Sequence, residues 1–395
     1  MRTRVAIIGA GPAGLMLAHL LHLAGVDSVV LEDRSREYIE RRVRAGVLEH
    51  PTVELLRECG VADRLDREGM VHHGVVLRFD GADHRVGLTD LTGRSITVYG
   101  QQEVVKDLVA ARLATGRPIL FDVADVALHD LETDAPSVTF KHADGSPGRI
   151  DCDFVAGCDG FHGVSRPSVP EGVLRVYEHA YPYAWLGVLA RAAPSHPELI
   201  YSAHERGFAL HSMRSPEVTR LYLQVEPDEP LADWPERRIW DELGRRLAVD
   251  GFTLNEGPLI ETSVAAMRSF VVEPMRHGRL FLAGDAAHIV PATGAKGMNL
   301  AIADVRRLAA AIAAYAADGS TDLLDGYSDA CLRRVWRAQH FSWWMTSMVH
   351  LPPDAEPFSE RLRRAQLRYV TASPAAARSL AENYVGLPFE EHEWR

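Results

Sequence analysis

Residues 5–32 read VAIIGAGPAGLMLAHLLHLAGVDSVVLE, and the change of pattern inside this stretch decides the fold. An apolar run of strand length meets Gly9-Ala10-Gly11-Pro12-Ala13-Gly14, after which Leu17, Leu20, Leu21 and Ala24 recur at helical spacing. Gly25 stops the helix, Val29, Val30 and Leu31 form a second strand, and Glu32 ends it. The expectation is strand, glycine turn, helix, strand. Gly9 permits the tight turn, Gly11 lets a pyrophosphate approach the backbone, and Gly14 lets the helix lie close on the strand. The helix N-terminus then faces the phosphates. Glu32 lies roughly 20 residues past the glycines, where an acid bonds ribose hydroxyls. An ordinary strand–helix–strand unit is the bland alternative; the acid at the end favours an adenine-dinucleotide site.

The 395 residues, 47% of them hydrophobic, can bury a large core and predict two domains or one with a large insertion. A net charge of −11 argues against a nucleic-acid or anionic-membrane surface and for small-molecule partners. No stretch is long enough to span a membrane, and the N-terminal apolar run lacks a signal-peptide cleavage site. Cys59, Cys152, Cys158 and Cys331 form neither a metal pattern nor a disulfide scaffold, so a reduced cytoplasmic enzyme without a metal is expected.

Arg41, Arg42 and Arg44 follow the ribose-binding strand, as surface charge or as phosphate donors. The next helix is predicted to start near Thr52 as N-cap and to stop at Cys59-Gly60. Residues 71–98 alternate in short segments outside the parallel sheet, a helix follows over 101–113, and strands return over 118–140. His72 opens the alternating section, and a histidine there is more often structural than a proton carrier. Residues 152–160, CDFVAGCDG, read as a buried strand ending in an acidic glycine turn, with Cys152 and Cys158 as small core residues. Residues 181–264 alternate again, as a sheet expected to pack with the 71–98 segment. If Ala209, His211 and Met213 face one side of a strand, Leu210, Ser212 and Arg214 face the other, with Tyr222 on a neighbouring strand. A hydroxyl, a guanidinium and a phenol on one face make either a carboxylate site or a solvated polar surface. The strand at Arg279-Leu280-Phe281-Leu282 runs into Ala283-Gly284-Asp285-Ala286-Ala287-His288. An apolar helix over 297–317 then presents a second glycine-rich N-terminus to an anion. Trp343 and Trp344 are read as core.

GAGPAG with Glu32, Cys158-Asp159-Gly160, and GDAAHIVPATGAKGMN at 284–299 together resemble the class A flavoprotein aromatic hydroxylases. RVRAGVLE, VYGQQEV, AGCDGFHGVSR, RGFAL, RSFVVEPM, FSWWMTS and AENYVGLP extend the resemblance over the whole chain and narrow it to members acting on 4-hydroxybenzoate. It implies a mixed α/β fold. The expected parts are a discontinuous Rossmann-like FAD-binding domain (1–71, 98–180 and 265–342), an antiparallel β substrate domain (72–97 and 181–264) and a C-terminal helical region (343–395). It implies FAD, NADPH or NADH as co-substrate, O2, a small aromatic carboxylic acid and a homodimer. The implied reaction is hydroxylation at C3 to 3,4-dihydroxybenzoate through a C4a-hydroperoxyflavin, with 4-aminobenzoate or 3-amino-4-hydroxybenzoate as the rival substrates.

Residue by residue, the resemblance assigns Gly9, Gly11, Gly14, Glu32, Arg42, Arg44, Gln102, Asp159, Arg220, Asp285, Lys296, Gly297, Met298 and Asn299 to FAD. Ser212, Arg214 and Tyr222 hold the substrate carboxylate, Tyr201 and Tyr384 stand by its hydroxyl, and His72 ends their proton relay. Asp33, Arg34, Tyr38, Arg42, His162, Arg166 and Arg268 fall at or near nicotinamide positions. Two departures matter. Ala292 stands beside the substrate ring where the family has a second proline, and Asp33 stands where NADPH-preferring members carry a base.

Overall fold

The computed structural model describes residues 1–44 and 46–389. The opening stretch folds as its pattern dictates: strand Val5–Ile8, helix Pro12–Leu23, strand Ser28–Leu31. Both strands are buried throughout, which is why they read as continuous apolar runs. They belong to a six-stranded sheet in the order Arg276–His277, Leu280–Leu282, Phe154–Gly157, Val5–Ile8, Ser28–Leu31, Ile119–Leu120. All neighbours are parallel except the first pair. The helix Pro12–Leu23 packs on the long helix Gly297–Asp318, so the two glycine turns preceding these helices lie at one end of the sheet.

The alternating segments form one eight-stranded sheet in the order His288–Ile289, Leu259–Glu273, Arg175–Ala190, Val218–Val225, Gly207–Ser215, Leu199–His204, Gly74–Phe79, Ala82–Gly87. This corrects the expectation of two packed segments: Leu199–His204 and Gly74–Phe79 are hydrogen-bonded neighbours, and parallel ones. Within residues 71–98 only the middle joins that sheet. Ile96–Val98 instead pairs with Val47–Leu48 on one side and Met70–His72 on the other, in a small separate sheet. Arg175–Ala190 and Leu259–Glu273 are single long strands, the first carrying the chain from the six-stranded sheet into the large one and the second carrying it back.

Three local readings change. The helix expected from Thr52 runs His50–Glu58 behind Glu49, because Pro51 suits its first turn, and Thr52 is fully buried. A bulge between Met213 and Ser215 interrupts the strand alternation, and Met213 joins the apolar cluster of Leu210 rather than the side of Ala209 and His211. Trp343 is 49% exposed, while Trp344 is the one packed on the core. Among the described residues no helix is long and apolar enough to cross a membrane, and no group of His, Cys, Asp or Glu is placed to hold a metal ion. All four cysteines are free.

Candidate active site

The glycines of the first turn are required by contact. Gly9 has φ +102°, and a Cβ there would stand 2.4 Å from the carbonyl oxygen of Cys158. A Cβ at Gly14 would lie 1.9 Å from the oxygen of Gly9, so only glycine lets the helix approach this strand end. A Cβ at Gly11 meets no atom within 4 Å, and Gly11 caps the helix without a side-chain bond, so open space adjoins unsatisfied N–H groups. The acidic turn at Cys158-Asp159-Gly160 touches this turn through Gly9. The third motif joins where the N–H of Ala283 donates to Gly157 at 3.0 Å and Gly284 abuts Ala301 and Ala13. Three motifs far apart in sequence therefore converge on one cradle.

Acids surround that cradle. Glu32 accepts from the N–H of Ala10 at 2.6 Å and of Arg34 at 3.0 Å; burial pushes its carboxyl up to about 7, with Asp33 adding to the rise. Asp159 accepts from the N–H of Ser165 at 2.8 Å, while its Oδ1 is buried without a partner. Buried Oε1 of Gln102, Nε of Arg214, and Nε and Nη1 of Arg220 likewise lack hydrogen-bond partners. Buried polar atoms of this kind are costly unless a bound group satisfies them. The glycine cradle, the acid at the ribose position and the orphaned atoms of Asp159, Gln102 and Arg220 fit FAD, while that of Arg214 lies on the substrate side.

Two residues assigned to FAD are engaged elsewhere. Lys296 is buried and donates to Glu49 at 2.5 Å and to the carbonyls of Asn383 and Tyr384, tying the last helix to the core. Asn299 spends its amide on the N–H of Glu49 and the carbonyls of Val47 and Ala295. Their side chains brace the 47–49 segment; Gly297 and Met298 begin the long helix, whose free N–H groups remain available.

The nicotinamide candidates form a strip beside the cradle. Asp33 and Arg34 are exposed and 3.6 Å apart, and Arg34 and Arg42 lie 5.6 and 5.9 Å from the ring centre of Tyr38. Arg41 pairs with Glu37 at 2.6 Å on the solvent side. Arg44 reaches Asp285 at 3.7 Å, and Arg166 donates to the carbonyl of Ala286 at 3.1 Å. Arg166 and Arg268 lie 4.6 and 4.7 Å from the centre of Phe161, with exposed His162 edge-on beside it.

The substrate candidates share one face of the large sheet. Strand register sets Ser212 opposite Arg220 and Leu210 opposite Tyr222. Arg214 Nη1 lies 3.3 Å from Ser212 Oγ and donates to the carbonyl of Met213 at 2.7 Å; its Nη2 is 3.4 Å from the carbonyl oxygen of Arg44. Burial would raise the phenol of Tyr222, but Arg214 and Arg220 outweigh it and hold the group below its ordinary value. The Tyr222 ring packs at a tilt against Trp185, centroids 4.7 Å apart, and the Trp185 indole donates to His350 at 2.6 Å. Tyr201 and Tyr384 are buried with their hydroxyls 2.5 Å apart, and the Tyr201 hydroxyl is 3.2 Å from the carbonyl oxygen of Thr293. Burial raises both phenols above the ordinary tyrosine value. Ala292, exposed, heads the short turn containing Thr293.

His72 does not join this pair directly. It is buried, its Nδ1 has no partner, and among the described residues no hydrogen bond links it to either tyrosine. Burial lowers its pKa to about 4, against the pull of Glu198. The sequence reading also missed the Thr293 carbonyl and the Glu49–Lys296 pair, for which spacing carries no signal, and Asp304. A lone acid among apolar residues of a helix was the available sign of that last residue.

Residues 2–342 match the family described as FAD binding domain. The chain is 48% identical over 392 residues to p-hydroxybenzoate hydroxylase of Acinetobacter baylyi, covering 99% of this chain and 96% of that one. It is 28% identical over 347 residues to 3-(3-hydroxy-phenyl)propionate/3-hydroxycinnamic acid hydroxylase of Mycobacterium avium, covering 82% and 57%. Among solved structures, p-nitrophenol 4-monooxygenase of Pseudomonas putida superposes with a TM-score of 0.82 at 20% identity, covering 98% and 99%, a likeness of fold. The chain belongs to the FAD-binding family of class A flavoprotein aromatic hydroxylases. It is a flavin-dependent aromatic monooxygenase with FAD as cofactor.

Proposed function

We propose that this enzyme hydroxylates 4-hydroxybenzoate at C3 to 3,4-dihydroxybenzoate, using NAD(P)H and O2. The observation that carries the reading is the pairing of a buried phenol couple, Tyr201–Tyr384, with an arginine–serine–tyrosine group around the same apolar cluster. A ring with a carboxylate at one end and a hydroxyl at the other matches both ends. When bound, FAD supplies an electrophilic oxygen from O2 and the electrons of the reduced nicotinamide. Arg214, Ser212 and Tyr222 hold the carboxylate, and Arg214 takes its charge. At the far end the substrate proton passes to the Tyr201 oxygen as Tyr201 gives its own to Tyr384, so an activated phenolate forms without opening the site. Because burial disfavours tyrosinate at either residue, both act as neutral relays. Onward transfer from Tyr384 to His72 runs through water. Ala292, beside the Thr293 acceptor, favours a second reading in which a substituted ring such as 4-aminobenzoate or 3-amino-4-hydroxybenzoate is accepted.

Gly9, Gly11, Gly14, Glu32, Arg44, Gln102, Asp159, Arg220 and Asp285 hold FAD in this reading, and the strip from Asp33 to Arg268 receives the nicotinamide. The division into FAD-binding (1–71, 98–180, 265–342), substrate (72–97, 181–264) and C-terminal (343–395) parts follows, joined by the two long strands. A cytoplasmic homodimer is part of the same proposal, and the free thiols support the reduced compartment.

Purified protein is expected to be yellow with non-covalently bound FAD; a colourless protein that cannot be reconstituted contradicts the cradle. Incubation with NAD(P)H and a panel of benzoates, with products identified by mass spectrometry, tests the substrate. Asp33 repels a 2′-phosphate, so the enzyme is expected to be poorly selective for NADPH or to prefer NADH. Reversing an exposed charge a few ångströms from a phosphate is worth about 1 to 2 kcal/mol in water, so Asp33→Arg should raise the NADPH/NADH ratio of kcat/KM roughly tenfold. A ratio unchanged by the substitution places Asp33 away from the 2′ position.

A further inference from the structure

Asp304 lies inside the helix Gly297–Asp318 and is 1% exposed, yet no reaction step uses it. Its Oδ2 accepts two hydrogen bonds, from the N–H of Gly284 at 3.0 Å and from Nε2 of His288 at 2.6 Å. His288 is equally buried, and its backbone belongs to a short strand paired with Phe270 and Val271. One carboxylate oxygen thus grips both ends of the segment 284–288. Between the grips stands Asp285, whose side chain is 43% exposed and lies 3.7 Å from Arg44. Gly284 carries φ +62°, and a Cβ there would stand 3.0 Å from Cβ of Ala301, about one turn before Asp304, so the turn sits close on the helix.

We infer that Asp304 and His288 are positioning residues for FAD, a buried clamp that fixes the turn carrying Asp285 in its binding geometry. The inference rests on the assignment of Asp285 to FAD. Neighbouring groups hold the clamp from more than one side. Burial disfavours a charged imidazole, but Asp304 and then Asp285 outweigh it and hold His288 above the ordinary histidine value. From the helix Tyr327–Val349, the Cys331 thiol lies against the same carboxylate, and the Tyr327 hydroxyl donates to the carbonyl of Leu282 at 2.8 Å, just ahead of the turn. The turn is therefore held from two helices while its exposed face is left to the ligand.

The test removes FAD and measures two quantities on wild type, Asp304→Ala, Asp304→Asn and His288→Ala: the Kd for added FAD from quenching of its fluorescence, and the melting temperature of the apoprotein. Asp304→Ala and His288→Ala should raise the Kd at least about tenfold, equivalent to 1.4 kcal/mol. Asp304→Asn should recover most of the loss, because its amide oxygen can still accept from Gly284 and His288. A purely structural role predicts lower apoprotein melting temperatures with the Kd of the folded fraction unchanged, and that outcome overturns the inference. If Asp304→Ala does not fold, His288→Ala against His288→Gln decides by the same split, since the glutamine can still donate to Asp304. Wild type that binds no FAD sinks the cofactor assignment; wild type that binds tightly beside equally tight variants sinks only the clamp.

Discussion

Replacing Arg214 with alanine is expected to weaken 4-hydroxybenzoate binding by about 2 to 5 kcal/mol, the cost of truncating one partner of a hydrogen-bonded charge pair that binding takes out of water. FAD binding should survive, because among the described residues the hydrogen bond of Arg214 to the segment of Arg44 is a single long one, to the Arg44 carbonyl. The variant leaves Ser212 and Tyr222 to meet a carboxylate without a charge. Tyr222 should also lose part of the field that now depresses its phenol, since Arg214 is the first of the two cations opposing burial there. A phenol of the same shape lacking the carboxylate separates charge from shape: its affinity should change little between wild type and variant. Titrating the bound-flavin absorbance with both ligands makes the comparison. Equal losses for the two would mean that Arg214 shapes the pocket rather than pairing with the acid.

Tyr201→Phe is expected to leave FAD and substrate binding largely intact, slow hydroxylation by roughly 10²- to 10⁴-fold, the usual worth of a positioned proton-transfer group, and divert NAD(P)H consumption to hydrogen peroxide. The substitution removes the one hydroxyl bonded both to Tyr384 and to the Thr293 carbonyl, so the substrate phenol loses its proton exit while the ring packing persists. Tyr384→Phe should be milder, because Tyr201 can still bond the substrate oxygen. Product formed per NAD(P)H consumed, with the absorbance of bound 4-hydroxybenzoate followed across pH, reads both. If Tyr201→Phe stays coupled and ionises its ligand as the wild type does, Tyr201 has a packing role only.

What the sequence by itself determined lies where the physics is local. Gly9, Gly11 and Gly14 answer to backbone conformation and close approach within a few residues, so the strand–turn–helix and its dinucleotide use could be read directly; Gly9 and Gly14 meet the contacts that demand glycine, while Gly11 borders open space. The helix after the second glycine turn and the strand ending at Cys158 were legible for the same reason. The candidate substrate face was only half legible: period-two alternation set Ser212 beside Tyr222, but a bulge after Met213, a matter of pairing with the next strand, decided which side chains share it.

Tertiary structure alone decided the partners. Lys296 and Asn299 sit in a glycine-rich stretch that reads as cofactor-binding, yet the Glu49 carboxylate with the carbonyls of Asn383 and Tyr384 claims the first, and the backbone of Val47, Glu49 and Ala295 claims the second. The bond from Tyr201 to Tyr384 spans 183 positions, and no periodicity encodes it. His72 shows the converse, a residue assigned to the relay whose hydrogen bonding in the fold stops short of the tyrosines. Side-chain hydrogen bonds need their atoms within about 3 Å, a condition set by how sheets and helices pack. Asp304 binds the two scales together: a lone acid in an apolar helix marks a buried obligation, and only the packed turn of Gly284 and His288 reveals what satisfies it.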